Sequence, residues 1–200
     1  MHVWLVHGYN ASQGENTIDR MKPFLQREGF RVKEFNYKWL NGPVSGLFGA
    51  QLLNAHRASE FGKQALDAGP AARVAVGHSN GGAILYRLMV KDSTRFDQWH
   101  LINPALDNDV EFPAGANVTV YYTPGEMPTK LASYIPFTLW GDMGSVGYRG
   151  KSPVANINTA SPGFGLHASY GHSDKFADNK VAFWSGFIAN RIRNGAILRD

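Results

Sequence analysis

The sequence predicts an α/β fold, a mostly parallel sheet of about six strands with helices on both faces. Two observations favour this class. Short apolar runs alternate with longer segments whose apolar residues recur at helical spacing, and glycine or proline separates many of them. Strands that alternate with helices of this length usually pair in parallel, so the helices must cover the two faces of the sheet.

The predicted strands are residues 2–6, 31–37, 73–76, 99–102, 118–122 and 154–157. The predicted helices are residues 14–28, 50–68, 81–91 and 174–193. The first helix is expected to begin late, near Arg20, because Pro23 is tolerated in a first turn and not in a helix interior. Residues 40–49 contain three glycines, a proline and a serine, which predicts a loop. We expect residues 1–200 to form a single domain.

Composition excludes several kinds of chemistry. The chain has no cysteine, so it cannot contain a disulfide, a cysteine nucleophile or a thiolate metal site. The histidines show no metal-binding spacing, and the sequence contains neither a G-x-G-x-x-G nor a Walker A loop. We therefore expect no cofactor and no metal.

The chain carries a formal net charge of +4, and six basic residues fall between Arg20 and Lys38. No nucleic-acid-binding motif accompanies them, so we expect a solvated face and no nucleic-acid partner. No apolar run is long enough for a transmembrane segment, and the first residues lack the features of a signal peptide. A cytoplasmic location is the expectation, while the oligomeric state is left open.

The clearest chemical signal is the segment Gly77-His78-Ser79-Asn80-Gly81, which follows an apolar strand and begins a predicted helix. This is the G-x-S-x-G motif in the strand–turn–helix context that a nucleophilic serine requires. The sharp turn exposes the serine hydroxyl, and the helix that follows directs its N-terminal N–H groups at a developing negative charge. The alternative is a glycine-rich turn whose serine caps the helix.

A second signal follows the first strand, at His7-Gly8-Tyr9-Asn10. An oxyanion hole needs two backbone donors, one from the residue after the nucleophile and one from a loop after a neighbouring strand. Asn80 would supply the first N–H group and Tyr9 the second, with Asn10 as the alternative. His7 is expected to pack at the strand end as a supporting residue.

With His172 before the last helix, these segments make the chain resemble the α/β-hydrolase superfamily, from Val3 to about Arg193. The resemblance begins at the family's third strand, so it implies a minimal member without the antiparallel edge strands of many relatives. Only 14 residues, Pro104 to Asn117, separate the fourth predicted strand from the fifth, where many members insert a helical lid, so we expect no large cap domain. Residues 140–148 and 171–174 are similar to small, poorly characterised hydrolases of bacteria and phages.

The resemblance implies His172 as the general base, because family members place the base directly before the last helix; His167 is the alternative. It implies Glu126 as the acid, since members usually carry the acid just past the strand that ends at Tyr122, more often as aspartate. Asp142 and the pair Asp107 and Asp109 are the remaining candidates for the acid.

The implied function is a serine hydrolase that cleaves an ester or related acyl bond of a small-molecule substrate through an acyl-enzyme on Ser79. Carboxylesterase chemistry is favoured, and lipase, thioesterase and amidase reactions use the same groups. The alternative is a catalytically silent binding module with the same fold. The sequence leaves open the acyl-chain preference and whether loop 126–150 acts as a lid.

Overall fold

A computed structural model shows one six-stranded sheet in which every neighbouring pair of strands is parallel. It describes residues 1–8, 17–35, 43–66, 72–126 and 141–197, and within these all side chains except those of 43–53 and 196–197. The strands are β1 (His2–Val6), β2 (Arg31–Phe35), β3 (Arg73–His78), β4 (Gln98–Ile102), β5 (Val118–Tyr122) and β6 (Val154–Asn158). The predicted fold class is confirmed.

The strand order is β2-β1-β3-β4-β5-β6, so the direction in which the sheet grows reverses between β1 and β3. These two strands pair in parallel, with Val6 opposite Gly77. In open α/β sheets, ligands bind outside the carboxyl ends of the strands at such a reversal. The topology therefore predicts a ligand site at the segments that follow β1 and β3.

The α-helices are α1 (Lys22–Arg27), α2 (Pro43–Leu66), α3 (Asn80–Lys91), α4 (Met143–Val146) and α5 (Val181–Ile197). Side chains alternate between the two faces of the sheet. Trp4 and Val6 of β1 pack in one apolar cluster with α2 and α3, whereas Val3 and Leu5 pack in the other with α1 and α5. Helices therefore cover both faces, as predicted.

Helix α2 is amphipathic along its described part. Asn54, Arg57, Ala58, Phe61 and Ala65 are buried, which is the spacing of one helical face. The predicted loop over residues 40–49 is wrong from Pro43 onward, because the helix already begins there. Proline is favoured at the first position of a helix, and each glycine costs only about 1 kcal/mol in the interior, so the composition of this segment does not prevent a helix.

The last helix begins later than predicted, at Val181 instead of residue 174. Asp174–Phe176 form a 3-10 turn, and Ala177 then adopts an extended conformation that interrupts the helix. This turn buries Lys175 and Phe176. The first helix begins late, as predicted, with a 3-10 turn over Ile18–Met21 and Pro23 in the first turn of α1.

In the part of the chain that the structure describes, no helix is long and apolar enough to cross a lipid bilayer. The connection from β4 to β5, residues 103–117, contains no helix, so no helical cap is inserted at that point.

A buried polar cluster joins the sheet to α5. His100 Nε2 donates to Gln98 Oε1 (3.2 Å), Gln98 Nε2 donates to the Ile192 carbonyl (2.8 Å), and His100 Nδ1 lies 2.9 Å from the Tyr121 hydroxyl. Because Nε2 carries the proton in this arrangement, Nδ1 accepts the hydrogen bond from Tyr121. Burial, with a smaller contribution from the charge of Arg191, lowers the pKa of His100 to about 3.

This low pKa predicts acid sensitivity. In the unfolded chain His100 is protonated below its ordinary pKa of 6.5, whereas in the folded protein it stays neutral down to about pH 3. Folding stability is therefore lost as the pH falls below about 6.5. Between pH 7 and pH 5 the contribution of His100 is about 2 kcal/mol. Urea unfolding at the two pH values should show that much less pH dependence in His100→Gln than in the wild type.

The matched control is His56→Gln, because the side chain of His56 is 70% exposed on α2. That variant should keep the wild-type pH dependence within about 0.5 kcal/mol. Equal pH dependence in His100→Gln and the wild type would contradict the assignment of His100 as a buried neutral group.

Candidate active site

Ser79 lies in the sharp turn between β3 and α3, with a backbone φ of 54° and ψ of −122°. A non-glycine residue with positive φ costs of the order of 1–3 kcal/mol. The surrounding backbone holds the conformation: Ser79 N donates to the Ile102 carbonyl (3.0 Å), and Ser79 O accepts from the N–H groups of Gly82 (2.9 Å) and Ala105 (3.1 Å). The Ser79 side chain makes no capping hydrogen bond to α3, so the helix-cap alternative does not describe it.

Glycines make this turn possible because the backbone segments approach each other closely. A Cβ atom at Gly81 would lie 2.1 Å from the Val6 carbonyl oxygen, and one at Gly8 would lie 2.9 Å from Ser79 Cβ. The start of α3 therefore packs directly against the end of β1. This contact places Gly8, the second residue after β1, beside the Ser79 side chain.

The structure brings Glu126 and His172 together. His172 Nδ1 lies 2.9 Å from Glu126 Oε2, with the carboxylate side chain fully buried and the imidazole 15% exposed. Glu126 ends a tight turn after β5, in which Gly125 has a φ of 74° and Glu126 N donates to the Thr123 carbonyl (3.2 Å). A carboxylate at this distance from Nδ1 can fix the orientation of the imidazole.

His78 attaches the loop of His172 to the turn of Ser79. Its Nε2 donates to the His172 carbonyl (3.1 Å), and its ring centroid lies 4.6 Å from that of His172 and 4.8 Å from that of Phe176. Burial, followed by the charge of His172, lowers the pKa of His78 well below its ordinary value. His78 is therefore neutral. Because His78 directly precedes Ser79, its contacts hold His172 beside the turn that carries the serine.

His7 is half-buried directly after β1, and its Nδ1 lies 2.8 Å from the Gly8 carbonyl.

The other acid and base candidates lie in different surroundings. Asp142 Oδ1 accepts from Asn108 Nδ2 (2.7 Å). Burial, with the charges of Asp109 and Asp142, raises the pKa of Asp107, so these three carboxylates are near one another. The His167 ring stacks on Phe183 at 4.2 Å, and its carbonyl accepts from Trp184 Nε1. The carboxylate that contacts His172 is Glu126.

The two expected oxyanion donors are Tyr9 and Asn80. Tyr9 and its alternative, Asn10, lie outside the described residues. Residues 127–140, which belong to the possible lid, also lie outside them. Asn80 is the first residue of α3 and is buried. Its side-chain amide pairs reciprocally with Asn54 of α2, at 2.8 and 3.3 Å, and Arg57 Nη1 donates to Asn54 Oδ1 (3.4 Å). Sequence reasoning missed this pair, because nothing in the spacing of α2 relates Asn54 to the turn.

Lys175 is a second residue that sequence reasoning missed. It is 1% exposed, and its Nζ donates to Asn103 Oδ1 (2.8 Å), Thr123 Oγ1 (2.8 Å) and Ser169 Oγ (3.3 Å). Burial lowers the pKa of Lys175 to about 7, against the opposing charges of Glu126 and Asp174. Lysine is almost never fully buried, so the residue type predicted an exposed position. The sequence offers one weak signal, a polar asparagine, Asn103, directly after a buried strand, and in the structure Asn103 has a φ of 41°.

Two of the basic residues between Arg20 and Lys38 form ion pairs with described residues. Arg20 pairs with Asp178, and Lys22 Nζ lies 3.1 Å from Glu34 Oε1. Among the described residues, no group of three or more histidine, aspartate and glutamate side chains could hold a metal ion.

Solved structures with the same architecture come from several organisms. The chain is similar to a protein of Xanthomonas campestris classed as an α/β-superfamily hydrolase, with a TM-score of 0.54, 11% identity, and coverage of 96% of this chain and 98% of that one. It is also similar to the esterase domain of a Rhodothermus marinus protein, with a TM-score of 0.54, 13% identity, and coverage of 96% and 86%. No protein-family model and no curated protein sequence matches the chain. At these identities the likeness shows the fold alone: the chain has the α/β-hydrolase fold.

The close packing of the turn predicts different effects for two helical glycines. Gly81→Ala should destabilise the protein by about 3 kcal/mol, because the new methyl group would overlap the Val6 carbonyl. Gly186→Ala in α5 is the matched control, since no described atom beyond its chain neighbours and its own helix backbone lies within 4 Å of the added Cβ, and it should stabilise by up to about 1 kcal/mol. Urea unfolding measures both. A Gly81→Ala protein as stable as the wild type would contradict the close approach of α3 to β1.

Proposed function

We propose that the protein is a serine hydrolase that cleaves an ester or related acyl bond through an acyl-enzyme on Ser79. The observation that carries the proposal is the buried contact between Glu126 and His172. The His172 ring packs against His78, the neighbour of Ser79, and Ser79 has a strained backbone and no capping hydrogen bond from its side chain. Strained backbone and a buried acid–base pair both concentrate at catalytic sites. Ser79 directly follows β3, Glu126 lies in the turn after β5, and His172 lies in the segment between β6 and the last helix.

The proposed reaction begins when Ser79 Oγ attacks the acyl carbon. Because Nδ1 of His172 faces Glu126, Nε2 is the ring atom that takes the serine proton, and the Glu126 carboxylate stabilises the imidazolium that forms. The negative oxygen of the tetrahedral intermediate would be stabilised by the Asn80 N–H at the start of α3 and by a second N–H from Tyr9.

Collapse of this intermediate breaks the bond to the leaving group, which receives the proton from His172 Nε2. Water then attacks the acyl-enzyme, with His172 again as the base, and the acid product leaves Ser79 free for the next cycle. Every proton moves between Ser79, His172, the substrate and water, so the proposed mechanism uses this chain's own residues throughout.

The substrate class is a small-molecule acyl compound, with carboxylester hydrolysis as the first activity to test. Structural neighbours classed as a hydrolase and as an esterase domain support this choice at the level of the fold. Lipase, thioesterase and amidase reactions pass through the same intermediate and differ in the pocket. A catalytically silent binding module is the alternative, and the first experiment separates the two.

Ser79→Ala should lower hydrolysis of a p-nitrophenyl ester by at least about 10³-fold, because it removes the nucleophile. His172→Ala should lower the rate to a similar extent, since the nucleophile and base act as a unit. A fluorophosphonate should label the wild-type protein at Ser79 and leave both variants unlabelled. Wild-type protein that hydrolyses no ester of any acyl length and takes up no label would indicate the silent module.

His167→Ala is the control for the base. It removes the alternative histidine, whose ring packs on Phe183, and the catalytic rate of the folded variant should stay within about threefold of the wild type. A loss as large as that of His172→Ala would transfer the base to His167.

The acid is tested by two isosteric variants. Glu126→Gln keeps the shape of the side chain and removes the charge that stabilises the imidazolium, so kcat should fall by about 10²–10⁴. Asp142→Asn should change kcat by less than about threefold, because Asp142 contacts Asn108 and not His172. A near-normal Glu126→Gln beside a strongly impaired Asp142→Asn would transfer the acid to Asp142.

A further inference from the structure

The Lys175 side chain has no place in the mechanism proposed above, yet it is fully buried, interacts with the charge of the proposed acid, and lies three residues after the proposed base. Its three hydrogen-bond partners, Asn103, Thr123 and Ser169, have no exposed surface. A buried ammonium ion is expensive, and packed apolar side chains of similar volume are often as stabilising or more so. A charge kept in such a place calls for an explanation other than stability.

The hydrogen-bond network accepts an ammonium group without conflict. An ammonium ion has three donors and no acceptor, and three oxygen atoms surround Lys175 Nζ. The Thr123 hydroxyl has a further acceptor for its own proton in Thr159 Oγ1 (2.9 Å), and Thr159 in turn donates to the Tyr122 carbonyl. The Ser169 hydroxyl donates to the Gly171 carbonyl (3.5 Å). Both hydroxyl oxygens therefore remain acceptors for Lys175.

The three partners belong to three different segments at the carboxyl edge of the sheet. Asn103 directly follows β4, and Thr123 directly follows β5 and begins the turn that ends at Glu126. Ser169 lies three residues before His172, and Lys175 lies three residues after it. One ammonium group thus connects the turn that carries the acid to both sides of the loop that carries the base.

The charged groups around Lys175 come from all the packed segments. Burial is the largest effect and lowers the pKa of Lys175 to about 7, Glu126 and Asp174 favour the ammonium form, and Lys180 opposes it. His78 faces the same region and is neutral, because burial, His172 and Lys175 all disfavour its charged form. The Lys175 Nζ also lies 5.9 Å from the centroid of the Trp184 ring, within the range of a cation–π contact.

We infer that Lys175 is a positioning residue, whose buried ammonium group holds the Glu126 turn and the His172 loop in register so that the acid–base contact forms. The catalytic meaning of this inference rests on the proposed function, but the contact itself can be observed without any substrate. Catalytic groups that are misplaced by about 1 Å lose about 10²-fold in rate, so a connection of this kind has a measurable effect.

The test compares Lys175→Met with Lys180→Met. Methionine keeps an unbranched side chain of similar volume and removes the ammonium group. Lys180 is the matched control, because it also holds this loop: its Nζ donates to the Ala168 carbonyl (2.8 Å) and to Asp174 Oδ2 (2.6 Å), and both partners lie on the His172 side of the site. Circular dichroism and thermal unfolding verify that each protein is folded.

Two readouts are required. The first is the proton on His172 Nδ1, which in a contact with a carboxylate gives a strongly downfield NMR resonance, assigned by its loss in Glu126→Gln. The second is the division of the effect between kcat and KM with a p-nitrophenyl ester. Lys175→Met should lose the downfield resonance and reduce kcat by about 10–100-fold with KM within about threefold, whereas Lys180→Met should retain both wild-type properties.

A folded Lys175→Met protein that keeps the downfield resonance and a kcat within about twofold of the wild type would overturn the inference. Absence of the resonance from the wild type would overturn it as well, because no ordered contact would then exist to be held. If the wild type shows the resonance but no hydrolysis and no fluorophosphonate labelling, the proposed function fails, and the resonance alone decides the position of Lys175.

Two further variants decide the matter if Lys175→Met does not fold. Thr123→Val removes the contact of Lys175 with the acid turn, and Ser169→Ala removes its contact with the base loop, each without a buried charge being deleted. Both should weaken the downfield resonance and lower kcat by about 3–30-fold. Wild-type resonance and kcat in both variants would overturn the inference.

Discussion

The contact between the Glu126 carboxylate and the His172 imidazole is the interaction on which the arrangement of this site depends. The carboxylate is fully buried and the imidazole is only 15% exposed, and a buried carboxylate is stable only when it is paired. The contact therefore requires the turn after β5 and the loop before α5 to be held at a fixed separation. The positions of His78 against the His172 carbonyl and of Lys175 between the two segments meet that requirement.

The parallel sheet explains why residues from distant parts of the sequence meet. Parallel strands end at one edge, so the segments after β1, β3, β4 and β5 lie side by side. The reversal of strand order between β1 and β3 falls within this group of segments. Close packing then fixes the separation. Because α3 approaches β1 so closely that only glycine fits at residue 81, the strained Ser79 has a rigid support on the strand side and the helix side.

The fold was predictable because the relevant signals are local. Apolar runs and helical spacing indicated all six strands and their order of alternation with helices, and the largest error, the loop assigned to residues 40–49, arose because proline and glycine were taken as signs of a loop where α2 in fact begins. Glu126 and His172 were predictable because each follows or precedes an element that the pattern indicates. Asn54 and Lys175 were not, because their partners lie at distant positions and neither residue type suggests a buried location.

Buried polar groups in this structure fall into two sets with different consequences. His100 is satisfied as a neutral group by Gln98 and Tyr121, both within the sheet, and its cost appears only when acid protonates it. Lys175 is surrounded by acceptors suited to a charge, so its cost is present whenever the ammonium form is present. A cost of the first kind is a by-product of filling a core with polar side chains. The cost of burying the Lys175 ammonium group persists at neutral pH, and a neutral side chain of the same volume would avoid it. This contrast is the physical reason to associate Lys175 with the geometry of the site and His100 with the stability of the fold.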